Sequence, residues 1–209
     1  MKVHNRLRLI AGYTAGAVVA GTMALPPAAQ ADEDQASVRV TVDIEEIREP
    51  GVLALSVAGS GVALAENGST LLIRQFRGAL PTVTVTDTRT AAEVPDGANW
   101  AVVGTATNFV GAAGQAPITA DHFGWKPRLI DGGASGLVTE GEEVVTVLDQ
   151  ETQPGNNVGL VDQELLVSTF DSEAVAGDSY SVGADLYLRT PADVAPGAYT
   201  STLTLSLFE

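Results

Sequence analysis

The chain has 209 residues, 45% of them hydrophobic, no cysteine, and a formal charge of −15. Without thiols it has no disulfide staple, no cysteine nucleophile and no cysteine to carry a lipid, so its stability must come from core packing. So acidic a field repels nucleic acid and anionic membrane surfaces, which are bound by Lys and Arg meeting phosphates.

Lys2, Arg6 and Arg8 open the chain, an uncharged run rich in Ala, Gly, Val and Leu fills residues 9–25, and Ala29-Gln30-Ala31 follows as a small-x-small site. That order predicts a secretory signal over 1–31, and Pro26-Pro27 argues against an uncleaved spanning helix. The expected mature protein, residues 32–209, is secreted and does not insert in a membrane. Three of the 11 basic residues leave with the signal, so eight face 26 acidic ones, a net −18. The ordinary use of such charge is solubility outside the cell.

Residues 32–36 read as a polar lead. After them Val38, Val40, Val42 and Ile44 alternate with Ser37, Arg39, Thr41 and Asp43, the period of a half-buried strand. Asn67-Gly68 lies between Val62-Ala63-Leu64 and Leu71-Leu72-Ile73, a hairpin signal, and is preferred as a turn over a glycosylation sequon. Residues 82–88 alternate again, and 100–109, 143–149 and 164–169 are further strand candidates. Over 179–189, Tyr180, Val182, Ala184, Leu186 and Leu188 take one side. Residues 199–208 close the series with Leu203, Leu205 and Leu207 in register. Pro95-Asp96-Gly97, Asp131-Gly132-Gly133, Pro154-Gly155 and Pro196-Gly197 punctuate the runs, and residues 171–176 offer no more than a helical turn. Short strands without interleaved helices predict one all-β domain, an antiparallel β-sandwich of roughly eight to ten strands.

Catalytic signals are scarce. His122 is the one histidine beyond the signal, and no Gly-x-Ser-x-Gly elbow exists. Carboxylates cluster at Glu140-Gly141-Glu142-Glu143, Asp149-Gln150-Glu151 and Asp162-Gln163-Glu164, where a glycosidase pair would need one acid in an apolar pocket. Most flank turns, so solvated charge is the simpler reading. No cofactor is expected. Calcium assembled from loops around Asp131, or Asp149 and Glu151, is the one ion the acidity leaves open, without the Asp-x-Asp-x-Asp-Gly pattern to support it.

Val85-Thr86-Asp87-Thr88-Arg89, then Asn99-Trp100-Ala101-Val102-Val103 and Asn108-Phe109, are followed at the end by Ala195-Pro196-Gly197-Ala198-Tyr199-Thr200-Ser201-Thr202-Leu203-Thr204-Leu205. Together these resemble the WxL domain, a surface module of Gram-positive secreted proteins. The matching positions are Asp87, Arg89, Trp100, Val102, Phe109, Tyr199, Leu203 and Thr204, with Val102 standing where the family has its leucine. The resemblance implies noncovalent binding at the cell wall, with peptidoglycan the implied ligand. Read from the residues themselves, Trp100 is a core anchor, Phe109 at the end of that strand packs likewise, Tyr199 ties a loop to the sheet by its hydroxyl, and Arg89 bridges acidic loops.

His122, Phe123, Trp125 and Lys126 gather around Gly124 between Pro117 and Pro127. They read as a loop in which an exposed Trp125 stacks on a sugar and Lys126 meets a carboxylate, or else as a loop folded back to bury Trp125. The expected function is a noncatalytic surface protein that binds wall glycan or a surface partner protein. The alternatives are a small carbohydrate-active enzyme with paired carboxylates, and a structural subunit that assembles through residues 37–44 or the last strand.

Overall fold

The computed structural model describes residues 41–43 and 49–209. The chain divides into two units, Met1–Glu46 and Ile47–Glu209. In the first, only the irregular, exposed residues 41–43 are described, so the signal, the polar lead and most of the 37–44 strand lie outside the described residues.

In the second unit an alternating burial pattern marks the sheets. In β4 (Val83–Asp87), Val83, Val85 and Asp87 point inward, and in β5 (Trp100–Ala106), Trp100, Val102, Gly104 and Ala106 do. The other strands are β1 (Leu53–Val57), β2 (Ala65–Glu66), β3 (Ile73–Ala79), β6 (Val110–Gly111), β7 (Phe123–Asp131), β8 (Val138–Glu140), β9 (Glu164–Thr169), β10 (Ser179–Pro191), β11 (Tyr199–Thr200) and β12 (Leu203–Phe208). All pairings among them are antiparallel. The all-β class expected from the sequence is what the structure has.

The first sheet is organised by β10, whose 13 residues pair on one side with both β3 and β4 and on the other with β7. The pairs Asp185↔Ala79 and Val182↔Val83 leave one extra residue on the β3–β4 side. That residue is a bulge at Leu80-Pro81-Thr82, where Pro81 has no N–H to give and Leu80 N–H donates to Ala184 O at 2.8 Å. Outside this broken strand, β1 pairs with β4 and β2 with β3. Asn67-Gly68 does turn a hairpin, with Gly68 at φ 85°, but the loop extends to Leu72 before β3 begins.

The second sheet runs β12-β5-β9-β8, with one side of β12 unpaired among the described residues, and β6 with β11 forms a separate ribbon. Residues 143–149 make only one bridge, Trp125↔Val144. The candidate strand stops there because Asp149 Oδ2 accepts the Thr146 N–H at 3.0 Å and its hydroxyl at 2.7 Å, closing a turn. The chain over 171–176 is turns, not helix.

The two sheets meet through aromatic side chains. Trp100 from the second packs 5.7 Å, centroid to centroid, from Tyr180 of β10, and both are buried. Burial raises the Tyr180 hydroxyl pKa to about 12, with Asp178 and Asp87 adding to the effect, so it stays protonated and donates a hydrogen bond to Val175 O at 2.6 Å. Tyr180→Phe should cost about 1 kcal/mol by orphaning that carbonyl, read as a shift of the denaturant midpoint at constant slope.

Candidate functional site

The residues singled out for the WxL resemblance are placed in the scaffold. Asp87 ends β4 with its side chain fully buried. Its Oδ1 accepts Arg89 Nε–H at 2.9 Å and Arg89 N–H at 3.0 Å, and its Oδ2 accepts Arg89 Nη2–H at 2.8 Å. Arg89 Nη1 reaches Glu209 Oε2 at 2.7 Å, so Arg89 does join two acidic segments. These two carboxylates raise the guanidinium pKa above its usual range, Asp87 most. Trp100 and Val102 are buried. Phe109 bridges to Ile118 and lies edge-on to Phe123 at 5.2 Å. The Tyr199 hydroxyl donates to Ala195 O at 2.8 Å, the loop tie expected of it. Leu203 is half-buried, and Thr204, next along the strand, is exposed.

The candidate loop around Gly124 is corrected. From Phe123 onward it is β7, and period-two alternation separates its residues. Phe123 and Trp125 point into the core, Trp125 with no exposed surface, while Lys126 points outward. A stacking Trp125 is therefore excluded, and burial, the other reading, is what occurs. Pro127 and Gly124 gave the appearance of a loop. At Gly124 a Cβ would lie 2.5 Å from Val144 O and 2.6 Å from the Tyr187 ring, so the glycine serves close approach of two neighbours. His122 ends a short 3-10 turn, Ala120–His122, with Nδ1 2.8 Å from Asp121 Oδ1. Burial opposes ionisation of Asp121, but its bonds to Thr119 and His122 outweigh that and lower its pKa.

Two concavities among the described residues bear on function. One is a trough of about 1070 Å³ between the sheets, lined by Leu55, Leu64, Phe76, Phe109, Tyr199 and Leu203 among others. Three of the resemblance residues thus shape its wall.

The other is a charged cleft of about 190 Å³ on the outer face of the first sheet. β10 supplies Asp185, Tyr187 and Arg189, β3 supplies Arg77, β7 supplies Lys126, and the segment after β8 supplies Glu143, Asp149, Gln150 and Thr152. Register builds it: Arg77 stands across from Tyr187, and Lys126 across from Asp185. The Tyr187 hydroxyl donates to Val144 O at 2.8 Å, and burial, reinforced by Glu143, raises its pKa strongly. Asn156 stitches the covering segment by donating to Glu143 O and to the Thr152 hydroxyl, both at 2.8 Å.

Glu143 and Asp149 therefore share a concave site, as the enzyme alternative requires, but both are engaged. Glu143 Oε2 lies 3.4 Å from Lys126 Nζ and its Oε1 3.4 Å from the Tyr187 hydroxyl. Asp149 holds Thr146 and pairs with Arg189. Neither lies in the apolar pocket that keeps a general acid protonated. Glu164 has its pKa raised by burial and by Asp162, yet that pair lines neither concavity. Among the described residues no three His, Asp or Glu side chains converge on a cation position, and Asp131 Oδ1 is spent on the Gly133 N–H at 3.0 Å. No described helix is long and apolar enough to cross a membrane.

No family model matches the chain, and no curated protein does. Among solved structures it is similar to a family 123 glycoside hydrolase from Clostridium perfringens, described for glycolipid glycan hydrolysis, at TM-score 0.31 and 12% identity. The match covers 65% of this chain and 19% of that one, a likeness too loose to carry an argument about fold or activity.

Proposed function

We propose that the chain is an exported, noncatalytic binding protein of the extracellular surface, held noncovalently at the wall through the charged cleft, with peptidoglycan its ligand. The leader pattern and the resemblance to WxL domains support the location. The carrying observation is the cleft itself. In a chain of charge −15, three cations and three carboxylates face one another in a pocket fixed by Tyr187 and Asn156. Its formal charge sums to zero, so it presents donors and acceptors to an acidic wall without the repulsion of the rest of the surface. The occupied state of Glu143 and Asp149 favours binding over glycoside hydrolysis.

The test is sedimentation of purified protein with isolated walls. Arg77→Gln should release the protein, whereas Arg128→Gln, the same charge change on β7 outside the cleft, should not. Equal effects of the two would mean that charge at large, not the cleft, sets adhesion. Raising monovalent salt moderately should leave adhesion unchanged or strengthen it, because screening acts first on the long-range repulsion. A steep loss with salt would contradict contact through a charge-balanced cleft.

A further inference from the structure

Two of the three cations in the cleft are held side by side. Arg77 and Arg189 flank Tyr187 on the outer face, Arg77 directly across from the ring and Arg189 two residues further along β10, its guanidinium 5.7 Å from the ring centroid. Arg189 spends Nε on Gln75 Oε1 at 2.8 Å and Nη1 on Asp149, leaving Nη2 without a protein partner among the described residues. Arg77 has no carboxylate partner among them, nor has Arg128 outside the cleft, whereas Arg74, Arg89, Lys126 and Arg189 each have at least one. Burial and the like charge of Arg77 both push the Arg189 guanidinium pKa down. Neighbouring guanidinium groups repel, and a planar anion that accepts from both removes the repulsion.

A second charge feature limits which anion fits. Asp185 lies across from Lys126, but Lys126 turns instead to Glu143, and Asp185 has no ion-pair partner among the described residues. Arg77 and Asp185 are thus two lining charges of opposite sign that have no ion-pair partner among the described residues. A phosphate or other dianion would bring two charges among three carboxylates, Asp185, Glu143 and Asp149, whereas a zwitterion brings one negative charge for Arg77 and a cation for the unpaired Asp185. The cleft, with a volume of about 190 Å³, has room for one small residue.

We propose that this cleft recognises a small zwitterion of the α-amino-acid type, its carboxylate between Arg77 and Arg189 and its ammonium facing Asp185 and Glu143. The inference rests on the cleft being the contact surface proposed above and names what it contacts, a free α-amino-acid centre. Such a centre comes as a soluble amino acid or at the end of a longer side chain.

The experiment is a titration of the purified full chain, followed by NMR shift changes, with alanine, propionate, n-propylamine and inorganic phosphate, and with 2,6-diaminopimelate as the tethered form. Alanine should bind at least about tenfold more tightly than propionate or propylamine, since each of these loses one charge-assisted contact. Arg77→Gln and Asp185→Asn should each weaken alanine binding about tenfold or more, with melting temperatures near wild type because both side chains are exposed. Binding of both alanine and diaminopimelate supports the proposal for free and tethered centres, and binding of alanine alone supports it for the free form. It is overturned if propionate or phosphate binds as tightly as alanine, or if alanine causes no shift at concentrations up to about 10 mM, a weak limit for six non-hydrogen atoms. Because no wall is present, adhesion through another surface would leave this titration intact, so the two readings fail separately.

Discussion

Asp87→Ala should destabilise the fold by about 3–5 kcal/mol, the range for breaking a buried ion pair by removing one partner. The cost lies in what is left behind. Arg89 has only 9% of its side chain exposed and would keep Glu209 as its one remaining carboxylate. The orphaned guanidinium has little freedom to swing out, because its backbone is held too: a Cβ on Gly51 would sit 2.3 Å from the Arg89 Cα, so the lead into β1 lies directly on it. Gly51 N–H in turn donates to Glu93 Oε1 at 3.2 Å, and Glu93 receives the Thr90 N–H at 2.7 Å, which is the main reason its pKa lies below the ordinary carboxylate range. Replacing both partners, Asp87→Leu with Arg89→Met, should recover most of the loss, since an apolar pair of similar volume owes no desolvation. Denaturant midpoints of the wild type, Asp87→Leu, Arg89→Met and the double variant give the coupling. A loss below about 1 kcal/mol for Asp87→Ala would mean that Arg89 finds solvent after all, and that the pair does not hold β4.

Strands were legible where apolar and polar residues alternate without interruption. Residues 164–169 are β9 without change of bounds, and the run from 179 extends only to Pro191. The strands that escaped notice carry residues that usually punctuate loops. β3 contains Arg74, Arg77 and Gly78, and β7 contains Gly124 and Pro127. Leu53, Leu55 and Val57 did offer a period-two signal for β1, hidden behind Pro50-Gly51. The last run divides at Ser201-Thr202 because Thr202 N–H turns to the Thr107 hydroxyl at 3.0 Å, so side-chain bonding interrupts what hydropathy showed as continuous.

The cleft was not legible as a unit. The sequence offers Lys126 to a ligand carboxylate, Glu143 and Asp149 to a glycosidase pair, and Asp149 also to calcium, while nothing in it marks Arg77, Asp185, Tyr187 or Arg189 for a site. Only the pairing of β10 with β3 on one side and β7 on the other brings them to one face. Their sequence separations, 77 to 126 to 189, carry no periodic signal, because strand order in a sandwich is set by long-range pairing. Trp125 shows the reverse case. Its type is plain in the sequence, but its direction follows from the pleat of Phe123–Asp131, a strand that Gly124 and Pro127 disguise as a loop.

That direction makes Trp125 the second large lever on stability. Trp125→Ala should cost about 3–5 kcal/mol, the range for deleting a fully buried tryptophan. The ring is located by Gly104 in the opposite sheet: a Cβ there would lie 2.5 Å from Trp125 Cη2, 2.8 Å from Cζ3 and 3.1 Å from Leu205 Cδ2. Gly104→Ala should therefore itself destabilise, by about 1–3 kcal/mol, because a rigid indole cannot yield as a flexible side chain does. The indole N–H is buried without a partner among the described residues, so Trp125→Phe removes area and an unsatisfied donor together and should cost less than alanine. The decisive comparison is the pair. In a Trp125→Phe background, with the far edge of the six-membered ring gone, Gly104→Ala should lose most of its penalty, a coupling readable from thermal or denaturant midpoints. Additive effects of the two substitutions would mean that the sheets do not meet through this contact, and the register of one layer over the other would have to be redrawn.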